Sequence, residues 1–218
     1  MEGAEGGPIG EAPEPTRRPE FIDLILGRGS VSPKRLIPPG PTAAEIRTMI
    51  AAAVTAPDHC GLRPWRFLRI ADEARQRLAD LFVEAKRRRA PDADPAVLAR
   101  ERDKALRAPV LIAVCARIDP DNPKVPPGEQ FASVGAAVQN VLLAAHALGY
   151  GAIMLSGERT RDPLIRDGFG LGDAETLVGF ISLGSAAAEA PRKPRPDPVE
   201  HLQVWNGPKV WNGLTEEK

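Results

Sequence analysis

The stretch PVLIAVCARI, residues 109–118, limits this chain more than any other. It is apolar and rich in β-branched residues, with no polar alternation. Such a run suits a strand buried on both faces. Elsewhere, "WRFLRI" from Trp65 alternates apolar and polar and predicts a second strand; "GAIMLSG" and "ETLVGFISLG" predict two more.

Helical periodicity fills the spaces between them. "PEFIDLILGRG" carries Phe21, Ile22, Leu24 and Ile25 at helical spacing and should stop at Gly27 or Gly29. "TAAEIRTMIAAAVTA" opens on Thr42 with Glu45 three residues on, the spacing of a capping box, and has an apolar stripe of Ile46, Met49, Ile50 and Ala53. Residues 72–89 are expected as an amphipathic helix with Leu78, Leu81 and Phe82 inward, and 90–108 as holding a shorter charged one. "QFASVGAAVQNVLLAAHALGY" is the most apolar helix and the expected central one, and "TRDPLIRDGFGL" is short. The Pro-rich stretches at 30–41 and 120–129 are expected as loops. Four or five strands among these helices give an α+β fold or a three-layer α/β sandwich.

The chain has 218 residues, enough to bury a core without metal or disulfide. No composition break divides it, so one domain is expected, with an arm over 1–18 and an extended tail over 199–218. Lys plus Arg number 29, as do Asp plus Glu, which removes the basic excess of a nucleic-acid binder. No run approaches the ~20 apolar residues of a membrane span. The first residues have no apolar core, unlike a secretory signal. With only Cys60 and Cys115, a reducing cytoplasm is the simpler expectation.

Three segments can carry chemistry. "GRGSVSPKR" follows a helix end and offers Arg28, Ser30, Lys34, Arg35 and turn amides, which suit a phosphate or the edge of a polar heterocycle. The plain alternative is a solvated basic loop, and no GxGxxG is present. "TAPDHCGLRPWRF" ends a helix at Pro57 and places Asp58 and His59 in a turn. His59 is a candidate proton donor or hydrogen-bond partner, against a loop histidine bonded to backbone. His146 falls inside the apolar helix and His201 in the tail, so His59 lacks the partners of a zinc site, and Cys60 lacks those of a thiol nucleophile. Trp65 is most simply a core anchor. "IMLSG" is a strand breaking into Ser156-Gly157, which frees amides beside a small side chain.

Taken in order, "RGS", "TAPDHCGLRPWRF", "EQFASVGAAVQNVLLAAHALGYGA", "IMLSG" and "LVGFISLG" resemble the FMN-dependent nitroreductase family, most of all its short branch of NAD(P)H nitroreductases. The likeness covers roughly residues 19–198, with "APDH…PWRF" its most specific element. It implies a nitroreductase-like mixed β-sheet flanked by helices, in an intertwined homodimer with FMN at the interface. It implies that Arg28, Gly29 and Ser30 reach the partner's FMN, that Thr55 and His59 contact the flavin of their own chain, and that Met154, Leu155 and Ser156 run along the ring. It implies hydride transfer from NAD(P)H to the flavin and then to a nitroaromatic, quinone or similar small aromatic acceptor, in a ping-pong cycle. A flavin store or sensor, another flavin reaction on the same fold, or a tail that docks a partner are the alternatives.

Three departures from the family pattern stand out. The first motif has Gly29 where a second arginine is common, Arg63 stands where a glutamine often precedes Pro-Trp, and Pro127-Gly128 replace an aromatic. The basic run Arg192, Lys193 and Arg195 is a further candidate for phosphate charge.

Overall fold

A computed structural model describes residues 17–187 and 194–205. The elements, in order, are α1 (Pro19–Gly27), β1 (Leu36–Ile37), α2 (Ala43–Ala53), β2 (Trp65–Arg69), α3 (Arg75–Arg89), α4 (Pro95–Leu106), β3 (Val110–Arg117), α5 (Pro127–Ala147), β4 (Gly151–Leu155), α6 (Pro163–Gly168) and β5 (Glu175–Ala186). The long β5 pairs with β3 along one side and with β4 and β1 along the other; β2 completes the sheet beyond β3. Every ladder between these strands is antiparallel. The expected mixed sheet is therefore parallel only at one isolated bridge, Ser30 with Ala152. The connections between the strands carry the helices: α3 and α4 lie between β2 and β3, α5 between β3 and β4, and α6 between β4 and β5.

β3 explains its own sequence. Val110, Ile112, Val114 and Ala116 face a core built with α2 and α5. Leu111, Ala113 and Cys115 face a second core with α3, α4 and α6. Side chains alternate across a strand, so a sheet covered on both faces tolerates no polar position in its central strand. A bulge between Val114 and Cys115 shifts the register, which keeps Leu177 and Phe180 on the second face and Ile181 on the first.

The helix starts follow local chemistry. In α2 the Glu45 amide donates to Thr42 Oγ1 at 3.3 Å and the Thr42 amide donates to Glu45 Oε2 at 2.8 Å. That is the reciprocal capping box the spacing predicts. The Thr42 amide and hydroxyl hold the Glu45 carboxyl below its ordinary range. α4 and α6 are capped by the carboxylates of Asp94 and Asp162, with proline next in line.

Two segments differ from expectation. The stretch at 30–41 is not a plain loop: it holds a 3-10 turn, Pro33–Arg35, and β1, which pairs with the end of β5. Pro127 and Gly128 belong to the first turn of α5, because a proline fits the first helical position without losing a bond.

Gly179 records how closely β4 and β5 approach. A Cβ there would lie 2.6 Å from the Leu155 carbonyl oxygen and 2.6 Å from Met154 Cε. Backbone cannot yield as a side chain can, so Gly179→Ala is expected to cost about 1–3 kcal/mol. Urea denaturation of the variant checks this; an unchanged midpoint would refute it.

Candidate functional site

At the open end of β4 the structure gathers residues far apart in sequence. A cavity of about 470 Å³ lies on the α3/α4 side of the sheet. Its floor is apolar: Phe82, Leu111, Leu155 and Phe180. Its walls carry Ser32, Ser182, Asp103 and five cations: Lys34, Arg100, Lys104, Arg107 and Arg159. Three of the cations are engaged. Lys104 and Arg159 share the Glu101 carboxylate, at 2.5 and 3.4 Å, and Arg107 pairs with Asp103. Lys34 and Arg100 have no partner among the described residues. The cavity thus carries uncommitted positive charge above an apolar floor. A larger, more open depression near Lys86 and Arg161 has its central guanidinium, Arg89, tied to Asp162 and Glu158.

Arg159 is the most buried of these cations. Its guanidinium carbon stands 5.1 Å from the centre of the Phe82 ring and 5.9 Å from that of Phe180. Burial lowers its pKa from the usual arginine value, while Glu101 opposes that shift. Its Nε is buried without a protein partner.

The first motif leads into this cavity. Ser30 bridges to Ala152 of its own chain, and the Val31 amide donates to the Ala152 carbonyl at 3.0 Å. The amides of Gly29 and Ser30 meet no acceptor among the described residues, nor does the Arg28 guanidinium meet an anion. The Arg28 carbonyl accepts from Arg195 Nη2 at 2.5 Å, which brings the segment just before the tail beside the motif. Arg192 and Lys193 lie outside the described residues.

The last motif behaves as its alternation dictates. Met154 turns toward the α2/α5 core and Leu155 toward the cavity, so only one of the pair faces it. Ser156 follows beyond the ladder, its amide without an acceptor among the described residues, and Gly157 takes φ 130°, a conformation side chains disfavour.

Thr55 and His59 are elsewhere. Thr55 Oγ1 donates back to the Ala52 carbonyl at 2.8 Å, at the end of α2. His59 Nδ1 lies 2.8 Å from Glu129 Oε2 on α5. Neither lines the cavity. The loop that carries His59 on to β2 is wound tightly: Cys60, Gly61 and Arg63 all have positive φ, and Asp58 holds it by accepting from the amides of Leu62 and Arg63. Trp65 is partly buried against the α2/α5 core. Cys60 and Cys115 are both free, and burial pushes the Cys115 thiol up to about 11, so it stays protonated at neutral pH.

Arg100, Lys104, Arg107 and Arg159 escape sequence reading, since on a charged helix or turn they look like a solvated face. Lys34 was visible only as part of a basic loop.

An antiparallel sheet with helices on both faces and a charged cleft at one edge defines an α+β enzyme scaffold. The family profile described as "Nitroreductase family" matches residues 26–185, so the chain belongs to the nitroreductase family of oxidoreductases. It is 35% identical over 171 residues to "Putative NAD(P)H nitroreductase YdjA" of Escherichia coli (strain K12), covering 78% of this chain and 91% of that one. A Haemophilus influenzae protein, "Putative NAD(P)H nitroreductase", is 32% identical over 75% of this chain and 88% of its own. Among solved structures, a nitroreductase-like protein from Bacillus cereus superposes with a TM-score of 0.73 at 23% identity, over 88% of this chain and 99% of that one. A nitroreductase from Desulfovibrio desulfuricans, described as in complex with FMN, superposes with a TM-score of 0.66 at 25% identity, over 88% of this chain and all of the other. Among the described residues no helix is long and apolar enough to cross a membrane.

Proposed function

We propose that the protein is an FMN-dependent oxidoreductase that takes a hydride from NAD(P)H and passes electrons to a nitroaromatic, quinone or similar small aromatic acceptor. One observation carries the reading. Two uncommitted cations, Lys34 and Arg100, line the cavity beside Leu155, while the uncommitted Arg28 and the free amides of Gly29 and Ser30 lie on the segment that runs into it alongside β4, and the free amide of Ser156 follows the strand's end. An apolar floor with cations and amides at its edge fits a planar ring that carries a phosphate and polar carbonyls.

Bound FMN supplies the centre that accepts the hydride and returns the electrons. The chain supplies binding and charge. Arg28, with the Gly29 and Ser30 amides, would hold the phosphate. Lys34 and Arg100 would offer positive charge to the polar edge of the ring, and Leu155 and Ser156 would contact its face. No side-chain nucleophile is required.

The reading extends to a homodimer. Helix α1 has no buried residue although Phe21, Ile22 and Leu26 are apolar, at 55%, 54% and 69% exposure. Phe131 on α5 and Val199, Leu202, Val204 and Trp205 in the tail are exposed as well. So much open apolar surface calls for a partner, and a second copy also supplies what one chain lacks. Since Ser30 joins β4 within one chain, we assign Arg28–Ser30 and Leu155–Ser156 to one subunit and Thr55 and His59 to the other. This keeps the split between Arg28–Ser30 and Thr55 with His59 that the resemblance implies, and places Leu155–Ser156 with the first group.

The test is direct. Purified protein should bind FMN, show the absorbance of oxidised flavin, and bleach on anaerobic addition of NAD(P)H. A charge-assisted hydrogen bond contributes about 1.5–3 kcal/mol, so Lys34→Ala with Arg100→Ala should weaken FMN binding tenfold or more. Wild-type protein that stays colourless when offered FMN would overturn the proposal.

A further inference from the structure

Glu129 and His59 are joined across two elements for no evident stabilising purpose. The bond is 2.8 Å long, yet the two side chains are 55% and 53% exposed. Exposed pairs of this kind contribute little to stability. What the surroundings do provide is fixed geometry at both ends. On the α5 side, the neighbouring Gln130 is buried and bonded three ways to the loop before the helix: its Nε2 donates to the carbonyls of Asp119 and Val125, and its Oε1 accepts from the Asp119 amide. Farther along α5, Asn140 Nδ2 donates to the Ala52 carbonyl at 3.0 Å, which ties α5 to the end of α2 just before the His59 loop. On the other side, Asp58 pins the backbone of that loop through two amides. The backbone that carries each end of the Glu129–His59 bond is thereby held in place.

A carboxylate can only accept. Glu129 therefore makes Nδ1 the nitrogen that carries the proton and leaves Nε2 as the ring nitrogen free to meet anything outside the chain. We propose that Glu129 is a positioning residue: it fixes the tautomer and direction of His59 so that Nε2, not Nδ1, is presented to the flavin. The inference rests on the proposed function for the identity of the ligand, but the tautomer is a property of the protein alone.

The experiment compares wild type with Glu129→Leu, Glu129→Gln and His59→Ala, all as full-length chains. Two readouts are taken: FMN dissociation constants, and ¹⁵N shifts of histidine-labelled protein without FMN, which distinguish the two neutral tautomers. Glu129→Leu should raise the FMN dissociation constant about tenfold, the loss of one oriented hydrogen bond, while its melting temperature stays near that of wild type. Its His59 signal should lose the Nδ1–H pattern. Glu129→Gln keeps an acceptor oxygen and should retain both the pattern and most of the affinity. In the His59→Ala background, Glu129→Leu should add nothing further.

The proposal is overturned if Glu129→Leu keeps the Nδ1–H tautomer, if it binds FMN as tightly as wild type, or if its effect persists without His59. A wild-type protein that takes up no FMN overturns the proposed function instead. The tautomer comparison, which needs no flavin, then still decides whether Glu129 governs His59.

Discussion

Phe82→Ala is expected to destabilise the protein by about 3–5 kcal/mol, the range for truncating a buried aromatic. Phe82 is 2% exposed and stacks edge-on against Phe180, with ring centres 5.4 Å apart and planes at 77°. It also forms one side of the niche in which Arg159 sits. Removing the ring therefore leaves a void and strips a largely desolvated guanidinium of the nearer of its two aromatic faces. Phe82 also lines the candidate cavity, so the damage should reach the site. Chemical denaturation measures the first effect and FMN binding the second. A loss below about 1 kcal/mol would mean that α3 packs against the sheet less tightly than its burial indicates.

Gln130→Leu should rank next, at roughly 3 kcal/mol. Leucine keeps the bulk but abandons two carbonyls and one amide that Gln130 now satisfies. Each buried group left unpaired costs about 1–3 kcal/mol, less where the loop can relax toward water. The consequence is local as well as global, because those bonds hold the segment from Asp119 to Val125 against the start of α5. Increased hydrogen exchange at 119–126 in the variant, alongside a lowered denaturation midpoint, would support this. Wild-type exchange rates there would argue that the loop is held by its other contacts.

The same two residues show how unevenly sequence reveals structure. Phe82 was legible: it recurs at helical spacing with Leu78, and all that was needed was to place it inward. Gln130 was not. It sits in an apolar helix as an apparent exception, and its three partners come from a loop whose path only folding defines. His59 was visible as the one histidine in a polar turn, but Glu129, 70 residues away, was not. Lys34 and Arg100 follow the same rule. Nothing in a basic loop or a charged helix says which of its cations will find a carboxylate and which will be left facing a cavity.

Local order was set by the sequence alone. The unbroken apolar run of β3 required cover on both faces, Thr42 with Glu45 set the start of α2, and the order of motifs pointed to the nitroreductase family. Periodicity and caps act between near neighbours, so they can be read along the chain. Tertiary structure decided the rest: the antiparallel pairing around β5, the junction of Ser30 with Ala152, the division of Met154 and Leu155 between two faces, and the separation of His59 from the cavity. These depend on which surfaces meet after the strands pair, a long-range choice made by burial and hydrogen-bond satisfaction that no local spacing encodes.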